Sequence, residues 1–164
     1  MSENNFISIL NVIDGTVVDG PGFRISVYCA GCGHHCNGCH NPQSWDMSNG
    51  TLYSVDDIFS QIKESPWNVT FSGGDPFFQA AGFARLAKRI KTETDKTIWC
   101  YTGYTLESLV NENNPCKMKL LSLVDVLVDG PFVKELRDES LKFRGSSNQR
   151  IIEDPLGLAV VKEL

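Results

Sequence analysis

Four of the six cysteines of this 164-residue chain, Cys29, Cys32, Cys36 and Cys39, fall within eleven residues. The N-terminus, MSENNFISILNVIDG, lacks the basic and apolar regions of an export signal. In a reducing compartment clustered thiols point to metal or redox chemistry rather than to structural disulfides. A structural zinc site usually splits its ligands into two pairs about a dozen or more residues apart. Here only three residues separate Cys32 from Cys36. The gaps between the four thiols are x2, x3 and x2, unlike the x2, x2, x3 run of bacterial ferredoxins.

The segment before the loop, Arg24-Ile-Ser-Val-Tyr-Cys29, reads as a strand in which Ile25, Val27 and Cys29 share the apolar face. Cys29 is therefore expected in the core, leaving Cys32-x3-Cys36-x2-Cys39 on one loop with Gly31, Gly33 and Gly38. Glycines let backbone wrap closely around a bulky cluster and aim N–H groups at sulfur. Three thiolates on a four-position cluster leave one iron open, as a catalytic site requires. Spacing alone also admits zinc, completed by Cys29 or by one of His34, His35 and His40, the only histidines of the chain. Adjacent His34 and His35 read as exposed loop residues. Isolated Cys100 and Cys116 read as ordinary small apolar residues.

Apolar spacing along the rest of the chain alternates between periods of 2 and 3.6, which predicts an α/β domain. Ser54 begins a helix, with Asp57 in a capping-box pattern and Val55, Ile58, Phe59 and Ile62 on one face until Pro66. A strand over Trp67 to Phe71 delivers Ser72-Gly73-Gly74-Asp75-Pro76. A second helix carries Phe83, Leu86, Ala87 and Ile90, and a strand from Thr97 to Tyr101 ends at Thr102-Gly103. Helical segments over 105–113 and 115–123 precede a strand, Val124 to Val128, that runs into Asp129-Gly130-Pro131. Strands that end in glycine-bearing loops and return through helices imply parallel pairing with right-handed crossovers and a site at the carboxyl ends. A closed eight-stranded barrel needs about 250 residues. The expectation is one domain over 1–164, an open partial (β/α) barrel of about five or six mostly parallel strands. The net charge of −5 and the lack of a Lys/Arg-rich run give nucleic acid no basic surface. No stretch approaches the roughly 20 apolar residues that span a bilayer, so a cytoplasmic location is expected.

With these residues the chain resembles the radical S-adenosylmethionine (SAM) superfamily, marked by a Cys-x3-Cys-x2-Cys loop after the first strand. Within it the chain is similar to the activating proteins of anaerobic (class III) ribonucleoside-triphosphate reductases. That similarity rests on Asp19-Gly20-Pro21-Gly22-x-Arg24, Gly38-Cys39-His40-Asn41, Ser72-Gly73-Gly74-Asp75-Pro76, Tyr101-Thr102-Gly103-Tyr104, Val128-Asp129-Gly130 with Phe132, and Arg144-Gly145-Ser146-Ser147-Asn148-Gln149. Gly38 stands where many superfamily members have an aromatic residue, and His40 where tyrosine is expected.

The resemblance implies one 4Fe-4S cluster on Cys32, Cys36 and Cys39, with SAM chelating the fourth iron. It implies SAM contacts from Ser72, Gly73, Gly74 and Asp75, the glycine pair receiving the methionyl ammonium, and further contacts from Gly38, Cys39 and His40. No catalytic side chain beyond cluster and SAM is expected. The implied function is reductive cleavage of SAM, with electrons from reduced flavodoxin or a similar donor, to place a glycyl radical on the partner reductase.

Overall fold

The computed structural model describes residues 5–39 and 42–157, so the expected contact residue His40 lies outside the described residues. Among the described residues a seven-stranded sheet and its helices follow in the order β1 (Phe6–Thr16), β2 (Arg24–Cys29), β3 (Thr51–Ser54), α1 (Val55–Glu64), β4 (Asn68–Gly73), α2 (Ala80–Glu93), β5 (Ile98–Tyr101), α3 (Leu106–Glu112), α4 (Pro115–Leu123), β6 (Val126–Asp129) and β7 (Arg150–Glu153). The strand order is β3-β1-β2-β4-β5-β6-β7. At the centre β2, β4, β5 and β6 run parallel, so their carboxyl ends and the loops that follow lie along one edge. The flanks are antiparallel: β1 pairs with β2 and β3, and β7 with β6.

Local chemistry sets these elements. Ser54 caps α1 by accepting the Asp57 N–H, and the chain leaves the helix at Ser65, just before Pro66. Asn114 caps α4, with Pro115 inside its first turn, and Asn113 ends α3 in the left-handed region at φ 52. Ile58, Ile62, Phe83, Leu86, Ile90 and Leu120 pack against Ile25, Val27, Val69, Phe71, Ile98 and Leu127 in one core. Each large side chain removed from water there contributes about 1.5–3 kcal/mol. Cys29 and Cys100 are fully buried in this core, as expected of them. Cys116, in the first turn of α4, is exposed instead.

Three polar side chains of the parallel strands, Arg24, Ser26 and Thr70, are buried too: Ser26 pairs with Thr16 at the end of β1, and the loop before β2 meets the other two. Thr70 Oγ1 donates to Asp19 O at 2.8 Å, the Arg24 guanidinium reaches Thr70, Val69 O and Pro21 O, and the Tyr28 hydroxyl bonds Asp19.

The sheet is open and mixed, with seven strands where five or six were expected. The strands that the sequence reading did not locate are β1, β3 and β7. In β1, Ile7 and Ile9 alternate inward, but Ser8 between them is buried too and two register shifts interrupt the pairing with β2, so no clean period of 2 marks it. β3 is an edge strand whose Leu52 and Tyr53 are exposed. Among the described residues no helix is long and apolar enough to cross a membrane.

At the mouth of β2 a clamp crosses the sheet. Gln79 stands at the N-cap of α2, but its amide accepts from Ser8 N at 2.8 Å and donates to Ser8 O at 2.9 Å and Ala30 O at 2.8 Å. The first residue of the cysteine loop is thereby tied to β1.

Candidate functional site

Where the parallel strands end, one pocket of about 260 Å³ is lined by Cys32, Cys36 and Cys39, by Ser72, Gly73, Gly74 and Asp75, and by Thr102 and Gly103. Of the residues singled out from the sequence, these seven from the cysteine loop and the SGGD turn are brought together. Gly38 forms the turn between Cys36 and Cys39 at φ +78, beside Phe132 and Lys134, and the Cys39 N–H closes that turn onto Cys36 O at 3.1 Å.

The cysteine loop follows β2 directly, and the SGGD turn follows the adjacent parallel β4, so the register Cys29↔Gly73 sets one loop against the other. Gly74 N–H donates to Cys29 O at 2.7 Å, Asp75 N–H to Gly31 O at 2.9 Å, and Gly31 N–H to Ser44 O at 2.7 Å. A Cβ on Gly73, at φ +99, would stand 2.4 Å from Cys29 N, and one on Gly74 would stand 2.6 Å from Gly31 O. The glycine pair is thus required first by the close approach of two backbones. The N–H at 74 donates to Cys29 O, and an ammonium, which only donates, could be received by the backbone of the pair only at its carbonyl oxygens.

Asp75 has a structural role that the sequence did not suggest. It is 1% exposed, and both carboxylate oxygens are occupied. Oδ1 accepts Phe77 N–H at 2.9 Å; Oδ2 accepts Thr102 Oγ1 at 2.8 Å, Gly103 N–H at 2.9 Å and His34 Nε2 at 2.7 Å. It ties together the loops after β2, β4 and β5. His34 is accordingly not an exposed loop residue: its ring packs edge-on against Phe78 and Tyr104 and over Gly103. His35 is exposed and stacks on Trp45 at 4.6 Å.

Burial pushes the Cys32 thiol up to about 11; the His34 backbone N–H bonded to its sulfur opposes the shift, and the charge of Asp75 adds to it. Such a thiol stays protonated until a cation stands beside it, when coordination removes the proton. The N–H bonded to sulfur is the kind of contact that supports a thiolate ligand. Among the described residues no group of three or more His, Cys, Asp or Glu converges on a single ion.

The far wall comes from a stretch that sequence reasoning quoted only by resemblance. Tyr101 donates to Phe143 O at 2.7 Å. Gln149 accepts from Gly145 N–H at 2.8 Å and Ser146 N–H at 3.1 Å and donates to Gly130 O at 3.1 Å. Arg144, whose guanidinium donates to Gln149 O at 2.6 Å, brings a permanent cation to the pocket. Tyr101 and Thr102 could have been nominated from the sequence, since they end a parallel strand.

Residues 18–152 match the family described as a 4Fe-4S single cluster domain, so the chain carries the domain of an iron-sulfur protein. The anaerobic ribonucleoside-triphosphate reductase-activating protein of Vibrio cholerae serotype O1 is 41% identical over 144 residues, covering 82% of this chain and 90% of that protein. The protein of the same name from Escherichia coli K12 is 37% identical over 142 residues, covering 81% and 90%, and that of Enterobacteria phage T4 is 34% identical over 141 residues, covering 82% and 86%. The chain belongs to the family of anaerobic ribonucleoside-triphosphate reductase-activating proteins.

Proposed function

We propose that this protein activates an anaerobic ribonucleoside-triphosphate reductase by generating a glycyl radical on it, using one 4Fe-4S cluster and SAM on an open, partial barrel. The observation that carries the reading is the single pocket in which three thiols of one loop face the Gly73-Gly74 turn at the carboxyl ends of parallel strands. Cys32, Cys36 and Cys39 would hold the cluster, leaving its fourth iron to SAM. Held there, the cluster and SAM would supply one-electron reductive cleavage chemistry that removes a hydrogen atom from a glycine of the partner.

The protein's own residues bind, orient and exclude water. Cys32 stands half-buried beside the turn, so a ligand there is screened from solvent on one side. The Ser72-Gly73-Gly74 backbone, unobstructed by side chains at its glycines, would take the methionyl end of SAM by its carbonyls, and Gly38 and Cys39 would border it. The pocket is open, which suits a protein substrate that completes the wall. Reduced flavodoxin or a similar one-electron donor would supply the cluster, and the cytoplasm is the compartment in which the thiols would stay reduced.

The test uses the protein with its cluster reconstituted, SAM, a reductant and an anaerobic ribonucleoside-triphosphate reductase whose glycines carry deuterium at the α-carbon. Deuterium in 5′-deoxyadenosine together with a glycyl-radical EPR signal on the reductase is expected. SAM cleavage in the reductase's presence without deuterium transfer would refute the activating role.

A further inference from the structure

The contact between His34 and Asp75 belongs to none of the roles assigned above. The three active-site loops have separate origins: the cysteine loop follows β2, the SGGD turn follows β4, and Thr102-Gly103 follows β5. Asp75 Oδ2 receives Thr102 Oγ1, Gly103 N–H and His34 Nε2. A carboxylate only accepts, so Nε2 carries the hydrogen and His34 is the donor. Of the residues between Cys32 and Cys36, His34 supplies the side chain that reaches Asp75. The histidine side chain is 17% exposed and Asp75 is 1% exposed, so water competes little for the bond. The ring is held on three sides: Phe78 lies edge-on at 5.2 Å, Tyr104 edge-on at 4.6 Å, and Gly103 lies so close that a Cβ there would stand 2.5 Å from His34 Cδ2.

We propose that His34 is a positioning residue: its hydrogen bond to Asp75 fixes the cysteine loop against the turns after β4 and β5, and so sets where the cluster stands relative to SAM. This rests on the functional reading above. His34 neither ligates iron nor touches SAM in this role. The Cys32 and Cys36 sulfurs flank it in sequence, so a loop released at His34 can still gather three thiols, but no longer at a fixed distance from Gly73 and Gly74. Cluster content and SAM engagement are therefore separable.

Three variants test this: His34→Leu removes the donor and keeps bulk, His34→Gln restores an N–H donor without an imidazole, and Gly103→Ala drives the ring away while leaving His34 intact. Each is reconstituted anaerobically and assayed for iron and sulfide per chain, for the shift of the reduced-cluster EPR spectrum as SAM is added, and for KM against kcat of SAM cleavage. Near wild-type iron is expected in all three. His34→Leu and Gly103→Ala should need about 10-fold more SAM for the EPR shift, equivalent to about 1.4 kcal/mol, with KM rising in step; His34→Gln should stay within about 3-fold of wild type.

Iron lost alike from His34→Leu and His34→Gln would make the imidazole a ligand and overturn the proposal. Unchanged SAM dependence in both His34→Leu and Gly103→Ala, beside a wild-type protein that responds to SAM, would overturn it alone. A wild-type reduced cluster indifferent to SAM would overturn the functional reading and this inference together.

Discussion

Replacing Gly74 by alanine adds one methyl group at the junction of the two loops. Its Cβ would stand 2.6 Å from Gly31 O, 3.0 Å from Gly31 C and 3.0 Å from Ser44 O. All three neighbours are backbone atoms held by the Gly31 N–H to Ser44 O and Asp75 N–H to Gly31 O bonds, so no side chain can swing aside and the cysteine loop itself must move. Overpacking of this kind costs about 1–3 kcal/mol. For a domain of this size each kcal/mol lowers Tm by about 2–4 °C, so a fall of roughly 4–8 °C is expected for a mid-range cost. The sequence alone makes Gly74 a ligand contact, with a substituted variant keeping its cluster and losing SAM affinity. The structure predicts that iron loading falls as well, because the displaced segment begins the loop that carries Cys32. Gly22→Ala provides the contrast: Gly22 has φ +70 and nothing within 4 Å of its Cβ position, so it bears only backbone strain, about 1–2 kcal/mol, and should load iron normally. Circular dichroism melts and iron analysis of both variants decide. A Gly74→Ala protein that melts within about 1 °C of wild type and binds a full complement of iron would refute the reasoning.

Alanine at Cys32, Cys36 or Cys39 should abolish the brown chromophore and SAM cleavage, whereas Cys29→Ala should keep the cluster and lose about 1 kcal/mol of packing; loss of the cluster in Cys29→Ala would contradict the three-ligand set. Alkali should weaken the metal-free protein: burial raises the Cys29 and Cys100 thiols well above their ordinary value, while unfolded cysteines ionise near about pH 8.5. The unfolded chain then binds fewer protons than the native one, so the stabilisation is complete below about pH 8.5 and declines above it. Tm measured from pH 8 to about 10.5 should fall more steeply for wild type than for the Cys29→Ala/Cys100→Ala double variant, and parallel profiles would exclude this origin.

The central parallel strands and their helices were legible because each carries a local signal: the Ser54 cap, the alternation that buries Ile25, Val27 and Cys29, and the helical spacing of Phe83, Leu86 and Ile90. The flanking strands were not. Arg150–Glu153 is four residues long, with Ile151 exposed and Ile152 buried, and only pairing with β6 makes it a strand. The three thiols were singled out by spacing and by the strand phase of Cys29, and the SGGD turn by resemblance. What Asp75 does there was not, since its partners His34, Thr102 and Gly103 lie 41, 27 and 28 residues away. No period or motif encodes such a meeting; the register of β2, β4 and β5 creates it.

The Gln79 clamp orders events during folding. Its bonds to Ser8 join residues 71 apart in the chain, and contacts of such separation bear a larger loop-closure entropy than those within a hairpin or a strand–helix unit. The β1–β2 hairpin and the β4–α2 unit can each form before Gln79 reaches Ser8 and Ala30. The root of the cysteine loop is also held by Gly74 N–H to Cys29 O and Asp75 N–H to Gly31 O, so the clamp adds a second, side-chain tie to a backbone one. The side chain that makes this tie stands at the N-cap of a helix, not in the loop it fastens, so a substitution at Gln79, far in sequence from every cysteine of that loop, would loosen its root.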